Sequence, residues 1–421
     1  MTLAWLTLPL EEPVFIEPAP LFAFLATVVA VIFGLARLKP LRGFFKYFPP
    51  LIWTYFVPMF CSSLGLIPAE SPVYSPFMSR IVLPAVLVLL LVPADTRSIV
   101  KLGPKAVAMM LIGTLGIVAG AGVSFALLHG RLPEGAWKGV ATLAGSWIGG
   151  SPNMTAVKES VGTDNALLGP LIVVDTICAY TWLAILVGLR NVEARVNGVV
   201  RADNSVVQGL AQRLSKRQAE RARPITLFDF GAMMGLALAV SQLCLWVGGH
   251  IDVWVRAREV VGSLWATIRV SQVLSGFGWG ILVLTAVGVI LSLTRLRNID
   301  DAGATPIGYI GLYFLLTSYG AQADLRQIEA EHAWLFLMGV VWIATHVVIL
   351  FIGLRLLRAP LFLGATASMA NIGGTASAPV VAAAFHPSLA SVGLVMAILG
   401  SVIGTPVALL IIGKMCAAIA G

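Results

Sequence analysis

Long apolar runs dominate this sequence, and short charged segments separate one run from the next. Most runs have roughly 17 to 25 residues, the length that a helix needs to cross the hydrocarbon core of a bilayer. Charged residues make up only 11% of the chain, whereas soluble proteins contain about 25%. The sequence therefore predicts an all-α polytopic membrane protein. The predicted spans are 21–38, 51–67, 77–93, 106–128, 167–189, 227–247, 273–293, 307–321, 334–357 and 389–412.

A further apolar segment, 139–161, cannot be regular helix throughout. Gly149 and Gly150 lower its helix propensity twice in succession, and Pro152 removes a backbone donor. In lipid, such a break is tolerated only where protein or a water-filled cavity satisfies the freed backbone groups. This segment is therefore predicted to be a broken helix.

The broken segment occurs twice. Residues 141–157 align without a gap on residues 365–381, within a second broken segment at 361–384. Further matches in the same order lie upstream and downstream, which indicates an internal repeat of the kind found in many secondary transporters. The matches include Ile148/Ile372, Gly149/Gly373, Gly150/Gly374, Ser151/Thr375, 94–99/323–328, Gly169/Gly393 and Thr181/Thr405.

The basic segment 190–224 divides the chain into repeats at 1–189 and 225–421, and the positive-inside rule places this linker in the cytoplasm. If each broken segment enters and leaves the membrane on the same side, the repeats are inverted and the basic loops all lie on one side of the membrane. If both segments cross, the repeats are parallel and the linker lies on the side of the acidic N-terminus. We expect the first arrangement: about ten transmembrane helices in two inverted five-helix repeats, each with a re-entrant Gly-Gly hairpin. The charged piece 252–269 is expected to be interfacial.

Composition and motifs exclude several other classes of protein. The net charge of +8 follows from the basic loops, so no nucleic-acid partner is expected. The four cysteines are scattered through apolar segments, in neither a disulfide framework nor a metal-ligand spacing. No P-loop, nucleophile elbow or His/Cys cluster is present in the sequence, which argues against an enzyme. We expect no cofactor other than a coupling ion.

Asp175 lies deep within the predicted span 167–189, where a carboxylate is costly and usually marks an ion or proton site. Its counterpart in the second repeat is Leu399, so only one repeat supplies this charge. We expect Asp175, Asn153 and Thr405 to bind the coupling ion, either Na⁺ or H⁺. An alternative is that Asp175 only caps the neighbouring broken backbone through hydrogen bonds.

The half-helix after each break begins with exposed N–H groups and a positive dipole end, which suits a carboxylate or another small anion. Hydroxyl and amide side chains at the breaks would add ligands, although a Ser or Thr more often bonds back to its own helix. His346, a lone buried histidine, is more simply hydrogen-bonded than a proton relay. The expected substrate-binding residues are Gly149, Gly150, Ser151, Asn153, Thr155, Asn371, Gly373, Gly374, Thr375 and Ser377.

These motifs resemble those of an uncharacterised bacterial membrane family, domain of unknown function 819. The resemblance rests on Ile148-Gly149-Gly150-Ser151-x-Asn153, on Asp175, and on Ala370-Asn371-Ile372-Gly373-Gly374 followed by 400–405. It runs from about residue 21 to the end. The family is grouped with cation/proton antiporters and anion transporters, including the sodium/glutamate and 2-hydroxycarboxylate symporters. The resemblance implies inverted repeats, a transport domain that contains the broken segments, and often elevator-type alternating access, in the bacterial cytoplasmic membrane.

The sequence departs from those relatives at two places. Val174 precedes Asp175, so the paired Asp-Asp typical of electrogenic sodium/proton antiporters is missing. Residues 375–379 replace the longer glycine-rich tip of the glutamate and citrate carriers. The substrate residues of those carriers therefore do not transfer to this chain.

We expect an ion-coupled secondary transporter of a small anionic solute, such as a carboxylate, an amino acid or a short peptide. A cation/proton antiporter without an organic substrate is an alternative, and it would tolerate substitution of Thr375 or Ser377. A non-transporting membrane scaffold or sensor is another, for which Gly149→Ala and Gly373→Ala would be silent. Such carriers are commonly dimers, so a homodimer is a further open expectation.

Overall fold

The computed structural model describes residues 13–47, 50–94, 96–99, 102–202, 225–258, 275–323, 333–386 and 389–421, and its regular structure in these ranges is helical. The helices of the first half are α1 (Pro18–Arg37), α2 (Pro50–Ser63), α3 (Val73–Leu91), α4 (Pro104–Leu128), α5 (Ala136–Gly149), α6 (Ser151–Val161) and α7 (Asn165–Gly188). Those of the second half are α8 (Leu227–Arg256), α9 (Gly276–Ser292), α10 (Ala304–Ala321), α11 (Ala333–Leu357), α12 (Leu361–Ile372), α13 (Gly374–Phe385) and α14 (Ala390–Val407). After α14, a π-helix (Ala408–Gly413) and a last helix (Lys414–Ala420) continue the chain.

Within the described ranges, seven helices are long and apolar enough to cross a membrane: α1, α3, α4, α7, α8, α11 and α14 with its continuation. This confirms a membrane protein with several apolar helices. The total of ten spans stays a prediction, because α2 and α9 have 14 and 17 residues. Helix α10 has 18 residues but carries polar side chains such as Tyr309 and Thr317.

Helix α8 corrects one predicted boundary. The sequence predicts a span that ends at residue 247 and a separate interfacial piece from residue 252, yet α8 continues unbroken to Arg256. Arg256 Nε donates to Asp252 Oδ2 at 2.9 Å, one helical turn away, so the charges support the helix instead of ending it. The rest of that piece, from residue 259, lies outside the described residues, as do Asp95, Asp324 and linker residues 203–224.

The helices pack as two groups. We call α1–α3 with α8–α10 the frame, and α4–α7 with α11–α14 the core. Each half of the chain therefore contributes three frame helices, one core helix, a broken helix pair and a last core helix, in that order.

Corresponding helices of the two halves pack in antiparallel pairs. In the core, Gly113, Gly116 and Gly120 of α4 face Leu350, His346 and Trp342 of α11 respectively. Residue numbers rise along α4 where they fall along α11, so the two helices are antiparallel. In the frame, Gly308 and Gly311 of α10 face Leu90 and Val86 of α3 in the same way. Glycine at these positions lets the helices approach closely, as is common between membrane helices.

Several helix ends share one end of the molecule, which we call the basic end. There, Thr96 and Ser292 hydroxyls hydrogen-bond at 2.6 Å, and Asn197 Oδ1 accepts the Leu361 N–H at 2.8 Å. These contacts bring together the segments that follow α3, α7, α9 and α11. Described cations in these segments and in the adjoining helix ends include Lys105, Arg190, Arg195, Arg201, Arg295, Arg297, Arg355 and Arg358.

Candidate functional site

The first helix break centres on Gly150. Helix α5 ends at Gly149, and Gly150 has φ 85° and ψ −179°, a backbone conformation that is essentially restricted to glycine. Its N–H donates to the Ser146 carbonyl at 2.8 Å, and its carbonyl accepts from the Asn153 N–H at 3.0 Å. Pro152 lies in the first turn of α6, where a backbone N–H would have no intrahelical acceptor, so proline costs no hydrogen bond there. Gly150 is thus the pivot between two short helices.

The second break repeats this arrangement with its own glycine pair. Helix α12 ends at Ile372, and Gly374 at the start of α13 has φ 60°. The second glycine of each Gly-Gly pair therefore has a positive φ, which favours glycine. No described side chain caps the N-terminus of α6 or of α13. In the first turn of α6 the Asn153 N–H donates to the Gly150 carbonyl and Pro152 has no N–H, so the Ser151 N–H is the donor that the start of α6 offers. The first N–H groups of α13 lack intrahelical acceptors, as at any helix N-terminus.

Helices α5 and α6 form a helical hairpin whose tip is Gly150. At its open end, Lys138 Nζ donates to the Gly162 carbonyl at 3.3 Å, and the Thr142 and Thr163 hydroxyls hydrogen-bond at 2.7 Å. Helices α12 and α13 pack along each other in the same manner. Each break is therefore the turn between two adjacent half-length helices.

The two tips meet inside the core. A Cβ atom added to Gly374 would lie 3.6 Å from Gly150 Cα. Helix α14 holds the first tip, because Asn153 Nδ2 donates to the Ser401 carbonyl at 2.9 Å and Gly404 lets α14 approach Gly149 closely. The positive ends of α6 and α13 thus face the same space.

That space is a cavity of about 800 Å³ between the frame and the core. Its core wall carries Ser146, Gly149–Asn153, Asp175, Thr176, Ala179, Tyr180, Ile372–Thr375, Ser377, Leu394, Ile398 and Ser401. Its frame wall carries Leu87, Leu90, Leu91, Pro93, Ala94, Thr305, Tyr309 and Tyr313. The cavity reaches Arg297, Asn298 and Asp301 between α9 and α10, and so extends toward the basic end.

Asp175 of α7 lies on the core wall, and α5 holds its carboxylate. Ser146 Oγ donates to Oδ2 and Trp147 Nε1 donates to Oδ1, both at 2.8 Å. Asp175 has no ion-pair partner within the part of the chain that the structure describes. Two neutral donors orient this carboxylate while its charge stays uncompensated, so the cavity beside it suits a cation.

Most of the predicted site residues meet at this cavity. Gly149, Gly150, Ser151 and Asn153 line it from the first tip, and Gly373, Gly374, Thr375 and Ser377 from the second. Tyr309 of the frame contacts the second tip, with its hydroxyl 3.1 Å from Thr375 Oγ1.

Three predicted residues lie away from the cavity wall. Thr155 donates back to the Pro152 carbonyl of its own helix at 2.7 Å. Asn371 is fully buried, accepts from the Thr114 hydroxyl at 2.9 Å, and ties α12 to α4. Thr405 is buried within α14. These three side chains point into the core and away from the cavity, a direction that the residue type alone does not reveal.

His346 forms a hydrogen-bonded chain within the core, which agrees with the simpler of its two expected roles. Its Nδ1 lies 3.0 Å from the Gly113 carbonyl, so this nitrogen carries the proton. Its Nε2 then accepts from the Ser368 hydroxyl at 2.8 Å, and Trp182 Nε1 donates to the same oxygen. Both ring nitrogens are satisfied, and the histidine joins α4, α11 and α12.

A charged pair that was not predicted from the sequence lies at the other end of the core. Lys158 Nζ lies 2.8 Å from Glu159 Oε1 and 4.3 Å from the ring centroid of Tyr319 in the frame. Lys158 is only 6% exposed. Nearby, Ser275 Oγ donates to the Ser160 carbonyl at 3.3 Å. Charges within an apolar broken segment were the signal that could have revealed this pair.

Ser146, Trp147 and the cavity tyrosines were also missed. Ser146 lies one helical turn before Gly150, so helical spacing could have placed it on the side of α5 that faces the first tip. Tyr309 and Tyr313 lie one turn apart on α10, so the same spacing could have placed both on one face of that helix. Their contact with the tips depends on packing between distant segments, which a single sequence does not reveal.

The fold and the site together define a polytopic α-helical membrane protein whose two broken helices meet at a cavity between the frame and the core. The chain belongs to the family described as "Protein of unknown function (DUF819)", whose model matches residues 23–418. It is 25% identical over 363 residues to the "Uncharacterized membrane protein YjcL" of Bacillus subtilis (strain 168), an alignment that covers 82% of this chain and 86% of that protein. The predicted family membership is therefore confirmed.

Proposed function

We propose that this protein is an ion-coupled secondary transporter of a small anionic solute in the bacterial cytoplasmic membrane. The observation that carries the proposal is the meeting of both helix breaks with Asp175 at one cavity. Uncapped N-termini of α6 and α13 offer N–H donors and positive dipole ends to an anion. The carboxylate of Asp175 offers a place for Na⁺ or H⁺ on the same wall.

The proposed topology has two inverted repeats with re-entrant hairpins. Antiparallel packing of α4 with α11 and of α3 with α10 supports the inverted relation, because corresponding helices must then run in opposite directions. Contacts of Lys138 with Gly162 support an entry and return on one side. The positive-inside rule places the basic end, and with it the linker 190–224, in the cytoplasm.

The proposed mechanism is alternating access by movement of the core against the frame. The cavity extends to the basic end, whereas at the other end of α6 the contacts of Lys158 and Ser160 close the core against the frame. This arrangement corresponds to a state open to the cytoplasm. A bound cation beside Asp175 would compensate its charge, so that the loaded core could move past the apolar frame.

The test is thermal stabilisation of the purified protein in detergent by Na⁺, by pH and by a panel of small carboxylates and amino acids. A ligand that prefers the folded protein raises the melting temperature. We expect an anion-induced shift that depends on Na⁺ or pH and that Asp175→Asn abolishes. Asp164→Asn is the matched control, because Asp164 caps the same helix through the Ala166 N–H and asparagine caps equally well. An Asp175→Asn protein with undiminished coupling would refute the proposal.

A cation/proton antiporter is the second candidate function, since it needs Asp175 alone. The two proposals differ at the second tip, where Thr375 and Ser377 line the cavity. If Thr375→Val and Ser377→Ala leave ion transport unchanged and no organic anion stabilises the protein, the antiporter replaces the symporter.

A further inference from the structure

The cavity has two chemically different walls. Hydroxyl groups, the two tips and Asp175 lie on the core wall, whereas α3 presents leucines and α10 presents tyrosine rings on the frame wall. Leu90 and Tyr313 are each half-buried, so part of each side chain faces the cavity. Ligand pockets of this type hold an apolar body against one wall and orient it through a few polar groups.

Packing behind the apolar wall supports its side chains. The ring of Phe33 packs edge-on against Tyr313, with centroids 4.7 Å apart. Gly308 accommodates the Leu90 side chain, so α3 and α10 lie close together behind the wall. On the opposite side, Ile398 of α14 and Tyr180 of α7 extend the apolar lining beside the polar tips. A solute at the tips would therefore contact apolar groups on both sides.

The charges on the described wall are those of Asp175, Asp301 and Arg297. One cation and two carboxylates do not match a dianion or trianion, since each extra buried negative charge would need its own positive partner. The two helix N-termini together supply about one positive charge. The wall and the two N-termini are then neutral together, and the coupling cation of the proposed function adds one positive charge, which a single carboxylate or a similar monoanion balances.

The size of the cavity excludes a good fit for the smallest anions. A volume of about 800 Å³ corresponds to roughly 25 water molecules at about 30 Å³ each. Acetate or a similar ion would leave the leucine and tyrosine wall in contact with water, so the apolar groups would contribute nothing to its affinity.

We infer that the solute is an amphipathic monoanion, with one carboxylate at the hairpin tips and an apolar body between Leu90, Tyr313 and Ile398. The inference rests on the proposed function and adds the substrate class to it. A branched aliphatic or aromatic monocarboxylate has this chemistry, whereas a dicarboxylate or an inorganic anion does not. The leucine and tyrosine wall is then a specificity-determining surface of the frame.

Four probes test the inference by stabilisation of the purified full-length protein: phenylacetate, acetate, succinate and the neutral phenylacetamide. Burial of the phenyl group predicts that phenylacetate acts at concentrations about 10- to 100-fold lower than acetate. Phenylacetamide has the same apolar body without the charge and controls for partition into detergent, so it should give no comparable shift. Succinate should act no better than acetate.

Variants locate the effect on the frame wall. Leu90→Asn keeps the shape of the side chain and should raise the half-maximal phenylacetate concentration about tenfold, while the response to acetate stays as in the unmodified protein. Leu282→Asn on α9, also half-buried but absent from the cavity wall, is the matched control and should leave both responses unchanged. The probe comparison on the unmodified protein holds even if Leu90→Asn fails to fold.

The outcomes separate this inference from the proposed function. If acetate or succinate binds as tightly as phenylacetate, the inference is wrong while the anion site stands. If phenylacetamide binds as tightly as phenylacetate, or if no anion shifts the melting temperature, both the anion site and the inference fall. Tighter binding of phenylacetate than of the other probes, weakened by Leu90→Asn alone of the two variants, supports the inference.

Discussion

Replacement of Gly150 by alanine should separate the role of the first tip from general effects on stability. Gly150 has φ 85° and ψ −179°, and a residue with a Cβ pays about 1–3 kcal/mol in this region of backbone conformation. The new methyl group would meet no crowded neighbour, since its nearest contact is Pro152 Cδ at 3.9 Å. The loss of unfolding free energy in Gly150→Ala should therefore come from the backbone conformation at residue 150 and not from steric contacts of the new methyl group.

Gly162→Ala is the matched control at the other end of α6. Gly162 has φ 65° and ψ 53°, and nothing lies within 4 Å of an added Cβ. The left-handed conformation costs a non-glycine residue about 1–2 kcal/mol. Both variants should thus lower the free energy of unfolding by similar amounts, although Gly162 lies far from the cavity.

Anion binding should distinguish the two variants. Relief of the strain at Gly150 reorients the first turn of α6, whose dipole end contributes about 1 kcal/mol to a bound anion, or about fivefold in affinity. We expect phenylacetate to bind Gly150→Ala about fivefold more weakly, and Gly162→Ala to keep the unmodified affinity. Equal affinities in the two variants, measured by stabilisation titrations, would refute the assignment of the first tip to the anion site.

Further predictions concern groups around the cavity. Lys158→Met removes the contact of Lys158 with the Tyr319 ring, so the core should move more readily at that end, which faster maleimide labelling of a cysteine in the cavity would reveal. Asn371→Leu leaves buried partners unsatisfied and should cost about 1–3 kcal/mol in unfolding free energy, without a change in anion affinity. Tyr309→Phe removes one hydrogen bond at the second tip and should cost about 1 kcal/mol while weakening anion binding. His346→Gln should lower the melting temperature but leave the pH dependence of ligand stabilisation unchanged; a change in that dependence would reinstate His346 as a proton relay.

Local chemistry made the helix breaks predictable. Two consecutive glycines disfavour regular helix in any environment, and at the first break Pro152 follows them at the start of the next helix. The helices before the two breaks indeed end at Gly149 and Ile372. The end of α8 was not predictable in the same way. Asp252 and Arg256 look like an interfacial segment, but their spacing lets them pair along a continuous helix.

The site was predictable as a set of segments and not as a set of side chains. The repeat indicated that both tips matter, and both tips line one cavity. Asn371 has the chemistry of a ligand but is turned toward Thr114, a contact between residues far apart in the sequence. The partners of Asp175 and the apolar wall on α3 and α10 likewise depend on how the frame packs against the core. Such contacts require the three-dimensional structure.

The accessibility of the cavity from each side of the membrane tests alternating access most directly. In a variant without the native cysteines, Ser377→Cys would be labelled with a membrane-impermeant maleimide in right-side-out and inside-out vesicles. Arg295→Cys at the basic end and Glu70→Cys in the segment between α2 and α3 serve as one-sided markers. A bifunctional maleimide between cysteines at Lys158 and Tyr319 would lock the core.

We predict that Ser377→Cys reacts from both sides of the membrane, and that the cross-link restricts its labelling to the side from which Arg295→Cys reacts. Labelling from one side only, with or without the cross-link, would contradict transport and indicate a membrane protein whose cavity does not change its accessibility. Labelling from both sides despite the cross-link would indicate a continuous pore instead of a carrier.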